Sequence, residues 1–433
     1  MAICRDEHDN AKCSYGSGQV CGRDAYKDDD SGRCICHSKK PNKDPDAFQS
    51  EIGAMLREKN YDFSGFVFPA EADFSDREFE SSVRFGSSVF RGAVSFKGST
   101  FRGDADFREA EFVGDADFNE AVFVDTVNFT GARFNDCAHF LSAQFRGRAK
   151  FAHARFQLCD ASFRCDTYFT EATFECPVDF IRAKFHGAVH FTGVTFRDAA
   201  LFVGYGDDRI FSDQRDAGFE VVRFERPHLV GFQHVCLKRA RFPQTDVRKV
   251  SFVDVKWAER PGGRPAVWDE LRPEPNGKKD YAMIGWLYRQ LKYNYEEQRD
   301  PIPAGDFHFG EMEMRRRLGK GPVFLWLYRV LSGYGESYLR ALGAIGLVIL
   351  AFAAAFAKLP ALAIQVVPPS GTPHIVGEFW PSLLYSGMCF LLRPDKPYQP
   401  VHMEGRYVSV AEGIIGPALI AMFVLALNRR FKR

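Results

Sequence analysis

Cys4, Cys13, Cys21, Cys34, Cys36 and His37 all fall within the first 37 residues, with His8 among them. Thiolates and imidazoles are the donors of a tetrahedral zinc. Cys34 and His37 stand three apart, a common ligand spacing, and the CGR at 21–23 suits a metal knuckle. A polar segment this short cannot bury a core, and a bound metal would supply the missing folding energy. A redox-active thiol cluster and a head without metal are the alternatives. Cys137, Cys159, Cys165, Cys176 and Cys236 are irregularly spaced and read as small buried or corner side chains, with no ligand pattern. Glu412 is the only charge between Tyr407 and Leu427. A carboxylate in such a stretch is a functional candidate, and it reaches the headgroups, pairs with Arg406 or Arg393, or lies on an ion pathway. His308, Glu311 and Glu313 could be drawn as an acid–base or metal site. Glutamates two apart do not share a helix face, however, so these read as structural. The sequence holds no nucleophile–base set, phosphate loop or HExxH stretch, so no enzyme is expected.

These groups sit in a chain of 433 residues with a net charge of +1. That balance argues against a globally basic nucleic-acid binder, and no nucleic-acid partner is expected. With 45% hydrophobic residues the chain is not disordered as a whole. The opening MAICRDEHDN carries acidic residues and no apolar core, unlike a secretory signal, so a reducing cytoplasm is expected for the head.

Phenylalanine is the informative residue, at 43 against 15 Tyr and 5 Trp. From Phe63 to Phe156 it recurs at steps alternating five and six, a period of eleven, with Ala two places before many of them, as at Ala105, Ala116 and Ala138. Helical geometry would scatter such a set around the cylinder. Extended segments put residues i and i−2 on one face, so short strands with Phe and Ala inward and a corner after each fit the pattern. Gly and Asp recur at the corners, as in FRGDADF. Phe163 slips the phase, and the beat resumes from Phe169 to Phe202. It fails between Gly204 and Gly218, then returns as a strict period of five at Phe232, Leu237, Phe242, Val247, Phe252 and Trp257.

The ADF triplets at 72–74, 105–107 and 116–118 resemble the pentapeptide-repeat family, whose consensus is A-(D/N)-(F/L)-x-x. The resemblance implies a mainly β fold, a right-handed quadrilateral parallel β-helix, with coils of roughly 22 residues if each keeps four faces. It implies no particular function. Some relatives mimic DNA, but about twenty Asp+Glu against fifteen Lys+Arg between Phe63 and Phe202 make a weak mimic. The acidic run Asp104–Glu120 and the basic run Arg146–Arg155 read as solvated faces, with a charged docking surface as the alternative. The head resembles the C…C…C-I-x-H-S segments that precede some bacterial members, through CICHS at 34–38. On these grounds zinc ligands are expected at Cys13, Cys21, Cys34 and His37, with Cys4 as the competitor.

After Trp257 a Pro- and Gly-rich stretch reads as a linker. A helical hairpin follows: Ile284, Leu287, Tyr288, Leu291 and Tyr295 have helical spacing, and Pro301 and Pro303 end that helix. Leu342 to Ala357, with apolar residues returning to Val367, and Tyr407 to Leu427 read as two membrane spans. Basic residues before the first (Arg315, Arg316, Arg317, Lys320, Arg329, Arg340) and after the second (Arg429, Arg430, Lys432, Arg433) place both chain ends in the cytoplasm. The segment from Phe379 to Leu392 is too short to cross and reads as re-entrant. Span, short helix and span resemble the two-helix pore module of potassium-channel-like proteins. That resemblance implies a hinge at Gly416 and an outer mouth near Arg393 and Asp395. FLLRPDKPY stands where a T-x-G-Y-G filter would, so potassium selectivity is not implied.

The expected organisation is a head (1–45), capping helix (46–60), β-helix (61–202), loop interruption (203–231), β-helix continuation (232–258), linker and helical hairpin (259–320), interfacial helix (321–340) and two-span module (341–433) with re-entrant segment 379–392. The function expected is a non-enzymatic interaction platform for an unknown protein partner, anchored in a lipid bilayer. The alternative is an oligomeric pore, about four copies, with the solenoid as its cytosolic domain.

Overall fold

The computed structural model describes residues 12–15, 19–156, 166–273, 277–319, 321–367, 372–392 and 397–431. The chain divides into two units, Met1–Lys279 and Asp280–Arg433.

In the first unit the Phe ladder winds into a parallel β-solenoid with four sheets, two of eight strands, one of seven and one of six. Val83 pairs with Ala105 and Ala105 with Val127, so one coil takes 22 residues. Every ladder phenylalanine from Phe63 to Phe156 is buried. Each lies nearly parallel to the Phe one coil away; Phe129 stacks on Phe107 at 4.8 Å and on Phe151 at 5.0 Å. Buried alanines such as Ala105, Ala110 and Ala116 leave room for these rings.

Two kinds of corner alternate, and this makes the steps alternate. Two residues after Phe107, Phe118 and Phe129 the backbone turns left-handed, at Glu109, Glu120 and Gly131 (φ 56°, 59° and 71°). The other corner has one residue more and packs backbone on backbone between coils. A Cβ at Gly147 would lie 2.2 Å from the Asp125 carbonyl oxygen, so only glycine fits there. The consensus aspartate also has a local task. Asp73, Asp106, Asp117 and Asp179 each accept a hydrogen bond from the backbone N–H two residues on, at 2.7–3.0 Å, which closes the corner.

Phe163, Cys159 and Cys165 lie outside the described residues; across that segment the coil lengthens, and Phe156 pairs with Phe185. The stretch 203–231, expected as an interruption, contributes to the solenoid. Phe211 stacks on Phe185 at 5.6 Å and Phe219 on Phe191 at 4.9 Å, while Ala217–Gly218 and Arg223–Phe224 extend two sheets. The extra residues loop outward while the rungs close beneath them. The period-five segment forms the last coils at an offset of 20, Cys236 with Lys256.

Both ends of the stack are covered. Helix α1 (Pro45–Arg57) is capped by Asp44, which accepts from Asp46 and Ala47 N–H, and it buries Phe48, Ile52 and Met55. Phe48 packs edge-on against Phe68. At the other end, residues expected as linker complete the solenoid. Pro265–Ala266 pairs with Ala258 and Glu259, α2 (Trp268–Leu271) follows, and Ala266 and Val267 are buried. Arg260 holds the buried Glu270 at 2.6 Å. The last coil of a solenoid exposes an apolar cross-section, and these residues cover it.

The second unit is helical. α3 (Tyr281–Glu297) packs on α4 (Pro301–Arg317) through Tyr288 and Tyr295 against Phe307. Pro301 and Pro303 open α4, where a missing N–H costs nothing. Glu311 and Glu313, both buried, face different partners. Glu311 takes Arg289, Lys292 and Arg315 at 2.8–2.9 Å; Glu313 takes Arg316 at 2.6 Å and the Tyr334 hydroxyl at 3.1 Å. Burial would raise the Glu311 pKa, but hydrogen bonds from Lys292 and Arg289 and the adjacent positive charge hold it below its ordinary 4.5. Its contribution to stability is therefore full above about pH 4.5 and is lost as the pH falls through the lower folded-state value. Glu311→Ala is expected to cost about 1–3 kcal/mol, at the low end of buried-pair losses because Arg289 and Arg315 are half exposed. Denaturation of wild type and variant should converge in acid; a constant difference down to pH 3 would refute this.

Next come α5 (Pro322–Ser332), with exposed Phe324, Trp326 and Leu327, and α6 (Tyr338–Lys358). The first apolar helix ends at Lys358, because Pro360 cannot continue it; Ile364–Val366 becomes a strand instead. That strand is central in a small antiparallel sheet with His374–Val376 and Tyr398–Pro400. α7 (Phe379–Phe390) packs with α6 and α8 (Met403–Phe431). Two helices, Tyr338–Lys358 and Met403–Asn428, are long and apolar enough to cross a membrane.

Candidate functional site

The head is built on an antiparallel hairpin, Lys12–Tyr15 with Gln19–Asp24, that carries Cys13 and Cys21. A tight turn carries the other two candidates: the Cys34 carbonyl accepts from His37 N–H at 3.1 Å and from Ser38 N–H at 2.9 Å. The donor atoms of Cys13, Cys21, Cys34 and His37 lie within 4.8 Å of one another. His37 Nδ1 is 3.1 Å from Cys34 Sγ and 3.6 Å from Cys13 Sγ; Cys21 Sγ is 3.7 Å from Cys34 Sγ. The other ring nitrogen, Nε2, donates to the Ser64 carbonyl at 3.0 Å. That bond places the proton on Nε2 and leaves the Nδ1 lone pair pointing at the sulfurs, the arrangement that orients a ligand histidine. The ring is also braced edge-on against Phe66.

Cys13, Cys34 and His37 are buried. Burial pushes the Cys13 thiol up to about 12. The contact with Cys36, then burial, raises Cys34. Two cations stand beside the cluster. Lys43, nearly fully buried, donates to the Val67 carbonyl at 2.7 Å and the Cys36 carbonyl at 3.3 Å, and burial pulls its pKa down to about 8. The Arg23 guanidinium lies over the Phe66 ring and pairs with Glu51 at 2.6 Å. Three thiolates and a neutral imidazole around a divalent ion would carry one net negative charge, which Lys43 is placed to offset. Cys36 is buried but is not part of the four-donor cluster; Cys4 and His8 lie outside the described residues. Lys43 and Ser64 had no signal in the sequence.

In the helical unit Glu412 is fully buried between α7 and α8. Ser386 Oγ donates to its Oε1 and also lies 3.0 Å from the Ile349 carbonyl. Oε2 has no hydrogen-bond partner among the described residues. The expected pairing with Arg406 is not formed. Six residues along an α-helix turn the side chain to the far side and about 9 Å away. Arg393 and Asp395 lie outside the described residues. Beside Glu412, Tyr385 and Ser409 share a 2.8 Å hydrogen bond. At Gly416 a Cβ would meet the Phe390 carbonyl oxygen at 2.2 Å, so this glycine brings α8 into backbone contact with the end of α7.

The family model described as Pentapeptide repeats (9 copies) matches residues 85–133. The chain therefore carries pentapeptide repeats, and they lie within the four-sheet β-solenoid. No curated protein and no solved structure matches the chain.

Proposed function

We propose that the solenoid is a rigid interaction platform held at a lipid bilayer by α6 and α8, with a zinc-ordered head at its first coil. The observation that carries this is the pairing of two unlike surfaces in one chain. The solenoid turns its aromatic rings inward and presents polar ladders outward. The apolar helices α6 and α8 expose Leu342, Leu347, Leu350, Val410, Ile414 and Leu425. Apolar surface in such quantity is stable against lipid, not water. The arginines before α6 and at the end of α8 support a cytoplasmic location for both chain ends. In fractionated cells the full chain should stay with membranes through an alkaline carbonate wash, and a chain cut before Tyr338 should be released. Release of the full chain would overturn the anchor.

One observation favours a second reading, a pore. Glu412 is buried with one oxygen unpartnered, on the helix that would face a shared axis in an oligomer. Under that reading Glu412→Lys changes ion selectivity or abolishes current in reconstituted bilayers, and cross-linking in lipid yields about four chains per particle. Under the platform reading the wild type carries no current and is monomeric. A monomer in lipid sinks the pore.

A further inference from the structure

The solenoid brings together three side chains that the linear sequence keeps apart. Cys137 and His139 flank Ala138, whose side chain is buried in the core, so both point outward on one face. Asp115 belongs to the coil below: Ala116 pairs with Ala138 and Asp117 with His139. The donor atoms of Asp115, Cys137 and His139 consequently lie within 4.8 Å of one another. Donors of a tetrahedral zinc stand about 3.5 Å apart, so rotamer adjustment of side chains that already converge suffices to close them on an ion.

The surroundings favour a cation. Asp117 lies directly below His139, and Asp136 precedes Cys137, whose N–H donates to the Asp136 carboxylate at 2.9 Å and to Asp115 at 3.3 Å. These bonds use the backbone N–H of residue 137; the thiol has its own backbone partner at Asp166. The imidazole plane is set by stacking on Tyr168, 5.4 Å between centroids and 3° from parallel. On the side of the lower coils Asp115 and His139 border a groove of about 750 Å³ that Asp73, Ser95, Asp117 and Asn119 also line.

We propose that Asp115, Cys137 and His139 form a metal site on the outer face of the solenoid, taking a zinc-class divalent cation with its remaining coordination position open to the groove. One sulfur, one nitrogen and one carboxylate oxygen select zinc, cobalt or a similar borderline ion over magnesium or calcium, which prefer all-oxygen shells. Three protein ligands with a free position are the donor count of sites that exchange a bound water, whereas closed four-donor sites are structural. Binding deprotonates the Cys137 thiol, and the proton goes to water.

The test is cobalt(II) titration of the full chain in detergent, read by the thiolate-to-cobalt charge-transfer absorption and by metal count after dialysis. Cys137→Ser and His139→Gln should each lower the count by about one equivalent relative to wild type. Asp115→Asn should weaken that equivalent, and magnesium should not compete for it. Cys176→Ser, a solenoid thiol outside the cluster, is the control and should bind like wild type. Both altered side chains are on the outer surface, so circular dichroism should stay that of wild type. An unchanged metal count in Cys137→Ser and His139→Gln, with the fold intact, would overturn the proposal. Should either variant lose the fold, protection of Cys137 from alkylation by zinc in wild type decides instead: full alkylation at saturating zinc refutes the site.

Discussion

Replacing Phe129 with alanine should destabilise the solenoid by about 3–5 kcal/mol. The ring has no exposure and touches Phe107, Phe118, Phe123, Phe134, Phe140 and Phe151. The coils above and below are fixed by continuous backbone ladders, so the neighbours cannot collapse into the space, and the loss combines the transfer and cavity terms. Because each coil contacts only its neighbours, the effect should reach the adjacent rungs first. Arg133, four residues on, is exposed, and its replacement by alanine should leave the denaturation midpoint unchanged. Chemical denaturation of the unit Met1–Lys279 followed by far-UV circular dichroism gives both values. Equal sensitivity at the two positions would refute the inward stack as the source of stability.

That contrast is legible in the sequence because one large residue type repeats with a beat that only a strand-and-corner coil satisfies. The alternation of five and six even encodes the coil length, since two periods of eleven are one circuit. The ends were less legible. Ala266 and Val267 lie in a stretch whose prolines and glycines read as a linker, yet they close the last coil because any exposed rung edge needs covering. The stretch after Gly204 lost the beat because residues were added at a corner while Phe211 and Phe219 kept their places inside. The sites divide the same way. The turn from Cys34 to His37 could be read from spacing, since its geometry is local. The Ser64 carbonyl that sets the His37 tautomer, and Lys43 beside it, could not, because they reach the head from other segments. Asp115 and His139 are neighbours only through the coil repeat. Glu412 was visible as a charge among apolar residues, but its partner Ser386 comes from another helix, and helix geometry rules out the charged neighbour that sequence proximity suggested.

On the proposal that the head holds zinc, a chelator should unfold the head while the solenoid stands. A structural zinc in a small finger contributes about 10–16 kcal/mol of apparent binding free energy, far more than residues 12–44 gain from their own apolar burial. The pieces that remain without it are a two-stranded hairpin and a turn, neither stable alone in water. The ladder beyond Phe63 has its own core and should be indifferent. Treating the full chain with a chelator should therefore open residues 12–44 to protease and leave residues 61–258 resistant. Cys34→Ser should reproduce this without chelator and should lose one zinc equivalent that Cys137→Ser retains. Cys36→Ser separates ligand from neighbour: its thiol is buried outside the four-donor cluster, so zinc should stay bound. Acid should release the metal steeply, because protons compete at three thiolates and an imidazole together. Protease resistance of the head that survives both the chelator and Cys34→Ser would refute the zinc, and the hairpin would then owe its order to docking on the first coil alone.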